Sequence, residues 1–358
     1  TQSDYGAEPH RFGYIIEVDP YNPKSTPRKH TALGRFKHEA ANIRIGADGM
    51  VAAYMGDDER FEYLYKFVAR KKYHSGNSAS ARRHNLQLLT DGDLYVARFS
   101  GSQRPGNDNL GQGAWIPLTR NGESAVPGMT HAEVLVFTRM AADRVRATPM
   151  DRCEDVQPSP QTGKVYVACT NNRDRGLDGE IGPDAANPRE KNKNGHVIEI
   201  TERDDRVDAT SFAWDLFMVC GSPEEAGAYF GGWNGPVAPI SCPDNFAFDS
   251  VGNLWIATDG APASISKADG LFRVPLEGDE RGHLVQFLAV PYQAETCGPV
   301  IHDRDESVFV CVQHPGEEGS WREQLSYFPD YLKADAEPPA GAWRGPRPSV
   351  VQVTREAG

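Results

Sequence analysis

Arg152 and Glu154 are the residues whose types and spacing most readily do chemistry in this chain. They stand in Met150-Asp-Arg-Cys-Glu-Asp-Val156, ahead of the apolar run Lys164-Val-Tyr-Val-Ala-Cys169. Two residues apart on an extended backbone, they project to the same side. A guanidinium and a carboxylate facing one way make poor core material, and they suit a site that binds metal and an anionic oxygen together. The layout recurs. Glu39 in Lys37-His-Glu-Ala-Ala-Asn42 precedes the apolar stretch Ile43 to Tyr54, and Asp244 in Pro243-Asp-Asn245 precedes Phe246 to Gly260. One acid at the head of each of several similar units is what carboxylates converging on a central axis would look like in sequence.

Further candidates are weaker. Glu295 heads another unit and could support the ligands, and Asp58 and Glu62 belong to an acidic run that could bind metal or form a solvated loop. Asn172, with Asn171, either holds a calcium ion or closes a hairpin. Each leading residue also has a plainer reading. Glu39 could pair with Lys37 or Arg35, Arg152 and Glu154 could form a structural ion pair, and Asp244 could cap a turn before Asn245. Asp259 reads as a turn residue, His38 and His314 as structural histidines.

The elements that must position these residues are nearly all strands. Apolar or alternating runs cover Gly13–Asp19, Tyr63–Ala69, Gly92–Phe99, Glu133–Thr138, His196–Ile200, Ser211–Val219, Gly270–Pro275 and Ser307–Val312. Turn signals such as Ala47-Asp-Gly49, Thr90-Asp-Gly92 and Ser250-Val-Gly-Asn253 separate them. Ala141–Ala147, Ser222–Ala228 and Trp321–Ala336 read as helical or irregular. Strands do not alternate with long helices, which argues against a doubly wound α/β fold. Units of acid, strand, Asp/Gly turn, strand and a third strand of the Gly-Leu-Phe-Arg-Val type begin near Glu39, Glu154, Asp244 and Glu295. Such repeats predict an all-β protein, a β-propeller with about four blade-like units. The expectation is one propeller domain over 1–358, or the C-terminal portion of one, with irregular insertions near 100–130, 173–194, 221–241 and 318–345.

Composition narrows the partners. A net charge of −12 argues against nucleic acid or an anionic membrane as partner. No apolar run approaches the roughly 20 residues of a membrane span. The 35 glycines and 26 prolines fit many tight turns between short strands. Six cysteines, none in a CxxC or CxxH spacing, leave no zinc motif. Cys220 and Cys242 flank a Gly/Pro-rich loop and could be bridged in an exported protein, while Cys153 and Cys297 sit at strand heads where they could meet near the axis. The chain opens on Thr1 without Met or a signal segment, which reads as a processed or excised product.

Several ordered stretches resemble PhoX-type alkaline phosphatases: Arg11–Pro20, Thr31–Glu39, Tyr54–Phe67, Asp151–Asp155, Pro243–Asn245 with Asn253–Gly260, and Gln313–Glu317. The resemblance implies a propeller whose axial site holds two ferric ions and calcium ions linked through an oxo bridge. It implies hydrolysis of small-molecule phosphate monoesters, and export by the twin-arginine route to the periplasm or cell surface; a monomer is expected. Carried over by position, Glu39, Glu154 and Asp244 are metal ligands and Arg152 grips the phosphate. The chain departs from the family in two ways. The family has a long N-terminal portion with a Thr-Cys-Glu-Glu-Asn-type stretch of further ligands, and the four units here fall roughly two blades short of a six-bladed ring. That portion is then either a cleaved partner or missing from a fragment. Cys153 also replaces the family's usual Pro between Arg and Glu.

The alternatives are a calcium-dependent propeller hydrolase of the lactonase or gluconolactonase type, which shares the strand–Gly-Asn-Leu-Trp–strand look, and a non-catalytic propeller that binds a protein or sugar.

Overall fold

β-Branched and aromatic runs punctuated by Asp/Gly turns fold into antiparallel strands that group as blades. The structure is a computed structural model, and it describes residues 6–101, 111–302, 304, 306–330 and 345–355. The first blade runs from inner to outer strand through His38–Ile45, Val51–Asp57, Leu64–Ala69 and Gly92–Ser100. The second comprises Cys153–Pro158, Val165–Cys169, His196–Glu202 and Ser211–Val219, and the third Pro243–Phe248, Leu254–Thr258, Gly270–Val274 and Val285–Ala289. The fourth has Glu295–His302, Ser307–Gln313 and Ser349–Thr354. The inner strands stand side by side in blade order. The fold is the expected all-β propeller.

Blade faces carry the core. Tyr54, Trp115, Val167, Ile198 and Trp214 pack between the first two blades; Tyr166, Phe217, Phe246, Ile256 and Phe272 between the second and third; Trp255, Leu271, Val308 and Val310 between the third and fourth. The other face of the first blade, including Met55, Tyr65 and Val96, is covered by Leu33, Val134 and Ala141 from outside the strands.

The described part of the 100–130 stretch is not an irregular insertion. Gly111–Pro117 is a strand that pairs with the outer strands of both the first and second blades and fuses them into one sheet. Its glycines hid it from a propensity reading, yet they are what the packing needs. A Cβ on Gly111 would lie 2.3 Å from the Trp214 ring, and one on Gly113 2.1 Å from the Phe212 ring. Residues 102–110 lie outside the described residues.

Glu133–Thr138 was expected as a strand and is helical instead. The helix His131–Val136 starts from Thr130, whose hydroxyl accepts from Glu133 N while the Glu133 carboxylate takes Thr130 N at 2.7 Å. This reciprocal cap overrides the apolar run. The next helix is Thr138–Arg144, overlapping the expected Ala141–Ala147. Ser222–Ala228 forms turns, as does the described part of Trp321–Ala336; the rest of that segment, and half of the 318–345 insertion, lies outside the described residues.

All six cysteines are free. Cys220 and Cys242 are not bridged. Cys153 stands opposite Cys169 and Cys297 opposite Cys311 on neighbouring strands of one blade each; Cys297 lines the axial cavity, whereas Cys153 is buried in the core between the first two blades.

Candidate metal and phosphate site

Each inner strand begins with its acid and then breaks register. Glu39, Glu154 and Asp244 are the second residues of their strands, and Glu295 is the first of its own. The register shifts fall between Glu39 and Asn42, Cys153 and Val156, Pro243 and Phe246, and Cys297 and Val300. Near each head the backbone turns to positive φ: Ala40 at 62°, Arg152 at 54°, Cys242 at 54°, and Gln293 and Gly298 both at 56°. Irregularities of this kind at all four acid-bearing strand ends are common beside functional sites.

Polar clamps hold the heads together. The buried Asp155 accepts from Asn42 of the first blade at 2.7 Å and from Phe246 N of the third at 2.9 Å. Asn245 donates to Asp244 at 2.8 Å and accepts from Gly298 N of the fourth blade at 2.8 Å. Gly56, opposite Glu39, lets the second blade approach closely: a Cβ there would sit 2.2 Å from Glu154 O.

The result is a cavity of about 330 Å³ lined by Glu39, Asp58, Arg152, Glu154, Asp244, Asn245, Asp259, Glu295, Cys297 and Gln313. Glu39, Glu154 and Asp244 bring ligand oxygens within 4.8 Å of one another, and so do Asp244, Asp259 and Glu295. Asp244 is common to both groups. Arg152 reaches Asp58 through Nε at 2.7 Å and Glu154 through Nη2 at 3.1 Å. Glu295 is held by Gln313 and by His314 Nε2 at 3.1 Å.

The electrostatics follow from crowding acids in a buried place. Burial, then Asp58, Asp155 and Glu295, push Glu39 up to about 7 against the pull of Arg152. Burial, then Glu295 and Asp269, push Asp259 up to about 6. Glu154 and Asp244 are raised by burial and by the acids around them. Burial works against charge on Arg152, but Glu154 and Asp58 outweigh it and hold the guanidinium above its ordinary value. One cation among six lining carboxylates leaves the cavity short of positive charge, and hard oxygen donors grouped this way fit hard cations.

Two sequence candidates stand elsewhere. Glu62 lies beside Arg139, 3.6 Å from its Nε, where Arg139 also grips the buried Asp57; burial raises Glu62 to about 7. Glu62 therefore belongs to the contact between the first blade and its covering helices. Asn172 pairs with Asn192 and accepts from Asp174 N at 3.1 Å, closing the neck of the 173–194 loop. His38 stacks on Phe36 and bonds Gly34 O at 3.0 Å, and burial lowers it to about 4.

Asp259, read from sequence as a turn residue, lines the cavity. A signal for it exists: Asp58 and Asp259 each directly follow the second strand of their blade, Val51–Asp57 and Leu254–Thr258. An aspartate repeated at that blade position marks it.

Sequence comparison with the family of alkaline phosphatase PhoX matches residues 1–316. This chain belongs to the PhoX family. Among solved structures, Pseudomonas fluorescens PhoX in complex with vanadate, a transition state analogue, is 40% identical with a TM-score of 0.80, covering 97% of this chain. The chain spans 58% of that PhoX structure's length. An α-L-arabinofuranosidase from Lactobacillus brevis aligns at 11% identity and a TM-score of 0.33, covering 77% of this chain and 63% of its own. A comparison with curated proteins finds no match. Among the described residues, no helix is long and apolar enough to cross a membrane.

Proposed function

We propose that this PhoX-family chain hydrolyses phosphate monoesters at the axial cavity, with ferric iron and calcium as its metals. The reading is carried by a single observation: a buried excess of carboxylates shares one cavity with one guanidinium, Arg152. Glu39, Glu154 and Asp244 would hold one cation, and Asp244, Asp259 and Glu295 a neighbouring one. Bound cations would supply Lewis-acid neutralisation of the dianionic ester.

The chain's own residues bind and orient. Arg152 offers two parallel N–H donors to two phosphoryl oxygens and strengthens its hold as charge moves onto them. Asp58 and Glu154 preset the guanidinium and keep it charged. An arriving phosphate displaces Asp58, the more exposed of the two partners. The related structure carries vanadate, and the same place beside Arg152 is proposed here for the transferring phosphoryl group. Export to the periplasm or cell surface is part of the proposal and rests on the family alone.

The test is p-nitrophenyl phosphate turnover with metal analysis of the same sample, before and after EDTA. Turnover that disappears with EDTA and returns with Fe³⁺ and Ca²⁺ supports the proposal. A metal-loaded protein without turnover overturns it, and calcium alone with lactone hydrolysis moves the assignment to a lactonase.

A further inference from the structure

Arg152 holds its side chain in the cavity from an unfavourable backbone. Its φ of 54° is left-handed, a conformation a non-glycine residue keeps only where its surroundings impose it. What imposes it lies beneath the cavity. Asp151, fully buried, accepts from Arg175 Nε through one oxygen and from Asn192 Nδ2 at 2.9 Å through the other. Arg175 is equally buried, and its remaining donors reach Pro149 O at 2.8 Å and Gly182 O at 2.9 Å. Past Arg152, the Thr170 N–H donates to its carbonyl at 3.0 Å. The residue before Arg152 and the carbonyl after it are thus both pinned.

The same arginine reaches the turn that carries Asp58, which pairs with Arg152. Its guanidinium lies 5.2 Å from the Phe61 ring, and Phe61 N donates to Met150 O at 2.9 Å. Phe61 belongs to the turn that carries Asp58, and Arg60 of that turn pairs with Asp174 beside Arg175. One buried side chain from the 173–194 loop therefore braces both the backbone of Arg152 and the turn that supplies its counter-ion.

We infer that the buried Asp151–Arg175 pair is a positioning device that aims the Arg152 guanidinium at the anion, which gives the long 173–194 loop a role in phosphate recognition. The kinetic part of this inference rests on the phosphatase reading. Asp151→Asn keeps the shape and removes the charge. It should lower kcat/KM by about ten- to a hundredfold, the scale of a misplaced binding group, and weaken vanadate inhibition by the same factor while bound metal stays constant. In an Arg152→Ala background the same change should have no further effect, because residues acting through one another are not additive. Arg175→Lys, which keeps the charge and loses the fork, should show a smaller loss in the same direction and covers the case where Asp151→Asn fails to fold. Multiplicative losses in the double variant, or lost metal, would overturn the inference. Hydrogen exchange at Arg152 Nε, followed by NMR, provides an arm independent of turnover. Exchange should speed up about tenfold in Asp151→Asn, converting to about 1.4 kcal/mol of lost protection; an unchanged rate overturns the inference even if the protein proves not to be a phosphatase.

Discussion

Glu202 and Glu154 are both buried carboxylates on strands of the second blade, yet their surroundings are built differently. Glu202 accepts from Lys66 Nζ at 2.8 Å, from Tyr54 OH at 2.8 Å and from Trp115 Nε1 at 3.1 Å. Lys66 spends a further donor on Ala209 O and lies 4.6 Å from the Trp115 ring. Here one negative charge meets one positive charge, with donors placed around both. Glu154 instead shares its cavity with Glu39, Asp244, Asp259 and Glu295 and has a single guanidinium beside it. The first arrangement is complete within the polypeptide. The second holds together only if something else brings positive charge, which distinguishes a structural ion pair from a binding site.

The comparison breaks first at Arg152. Arg152→Ala should reduce kcat/KM by about a hundred- to a thousandfold, the loss expected when a charge-stabilising donor is removed, with little change in Tm. Steady-state kinetics on p-nitrophenyl phosphate beside a thermal melt measure both. Full turnover in the variant would make Arg152 and Glu154 a structural pair like Lys66 and Glu202.

Lys66→Met should do the reverse. It strands the Glu202 charge in the contact between the first two blades, and breaking a buried pair from one side costs about 3–5 kcal/mol. Denaturant unfolding should show that loss, while turnover per folded molecule stays constant. A fall in turnover without loss of stability would mean the two sites are coupled.

Much of this contrast was legible in the sequence, for definite reasons. Glu39, Glu154 and Asp244 could be picked out because each opens an apolar strand, and the repeat of that pattern implied an axis. Glu62 and Asp58 could not be told apart, since only three residues of a turn separate a side chain facing the cavity from one facing Arg139. Asp259 was hidden because Thr-Asp-Gly is an ordinary turn sequence, and only alignment of blades reveals its match to Asp58. Arg175 was invisible. A buried arginine in a Gly-rich insertion carries no local pattern, and its partner Asp151 looked like an appendage of the Arg152 motif. The strand Gly111–Pro117 was missed because its glycines serve the neighbouring indole and phenyl rings and not the strand itself.

Chelation sharpens the comparison through pH. Without metal, Glu39 near 7 and Asp259 near 6 bind protons more tightly in the fold than in the unfolded chain, where carboxyls titrate near about 4. Burial is the larger cause and the neighbouring acids the next. Groups raised in this way contribute their full stability below the unfolded value and lose it as pH rises through the folded one. The Tm of EDTA-treated protein should therefore fall by several degrees between about pH 5 and about pH 8, and metal-loaded protein should show a flatter profile. A chelated protein that melts higher at pH 8 than at pH 5 would mean the acids are already neutralised by groups of the chain.

The smallest effect is expected furthest from the axis. Thr130 and Glu133 satisfy each other's backbone at the start of the helix that covers the first blade, and nothing in the cavity touches them. Removing a capping hydroxyl typically costs about 1 kcal/mol, so Thr130→Ala should lower stability by about that amount. Since the helix packs on the blade face remote from the second blade, the shift should leave kcat/KM and bound metal unaltered. If turnover fell with Tm, the helices behind the first blade would be setting the position of Glu39 through its strand. The line between self-contained and charge-deficient regions would then need to be drawn around the whole blade.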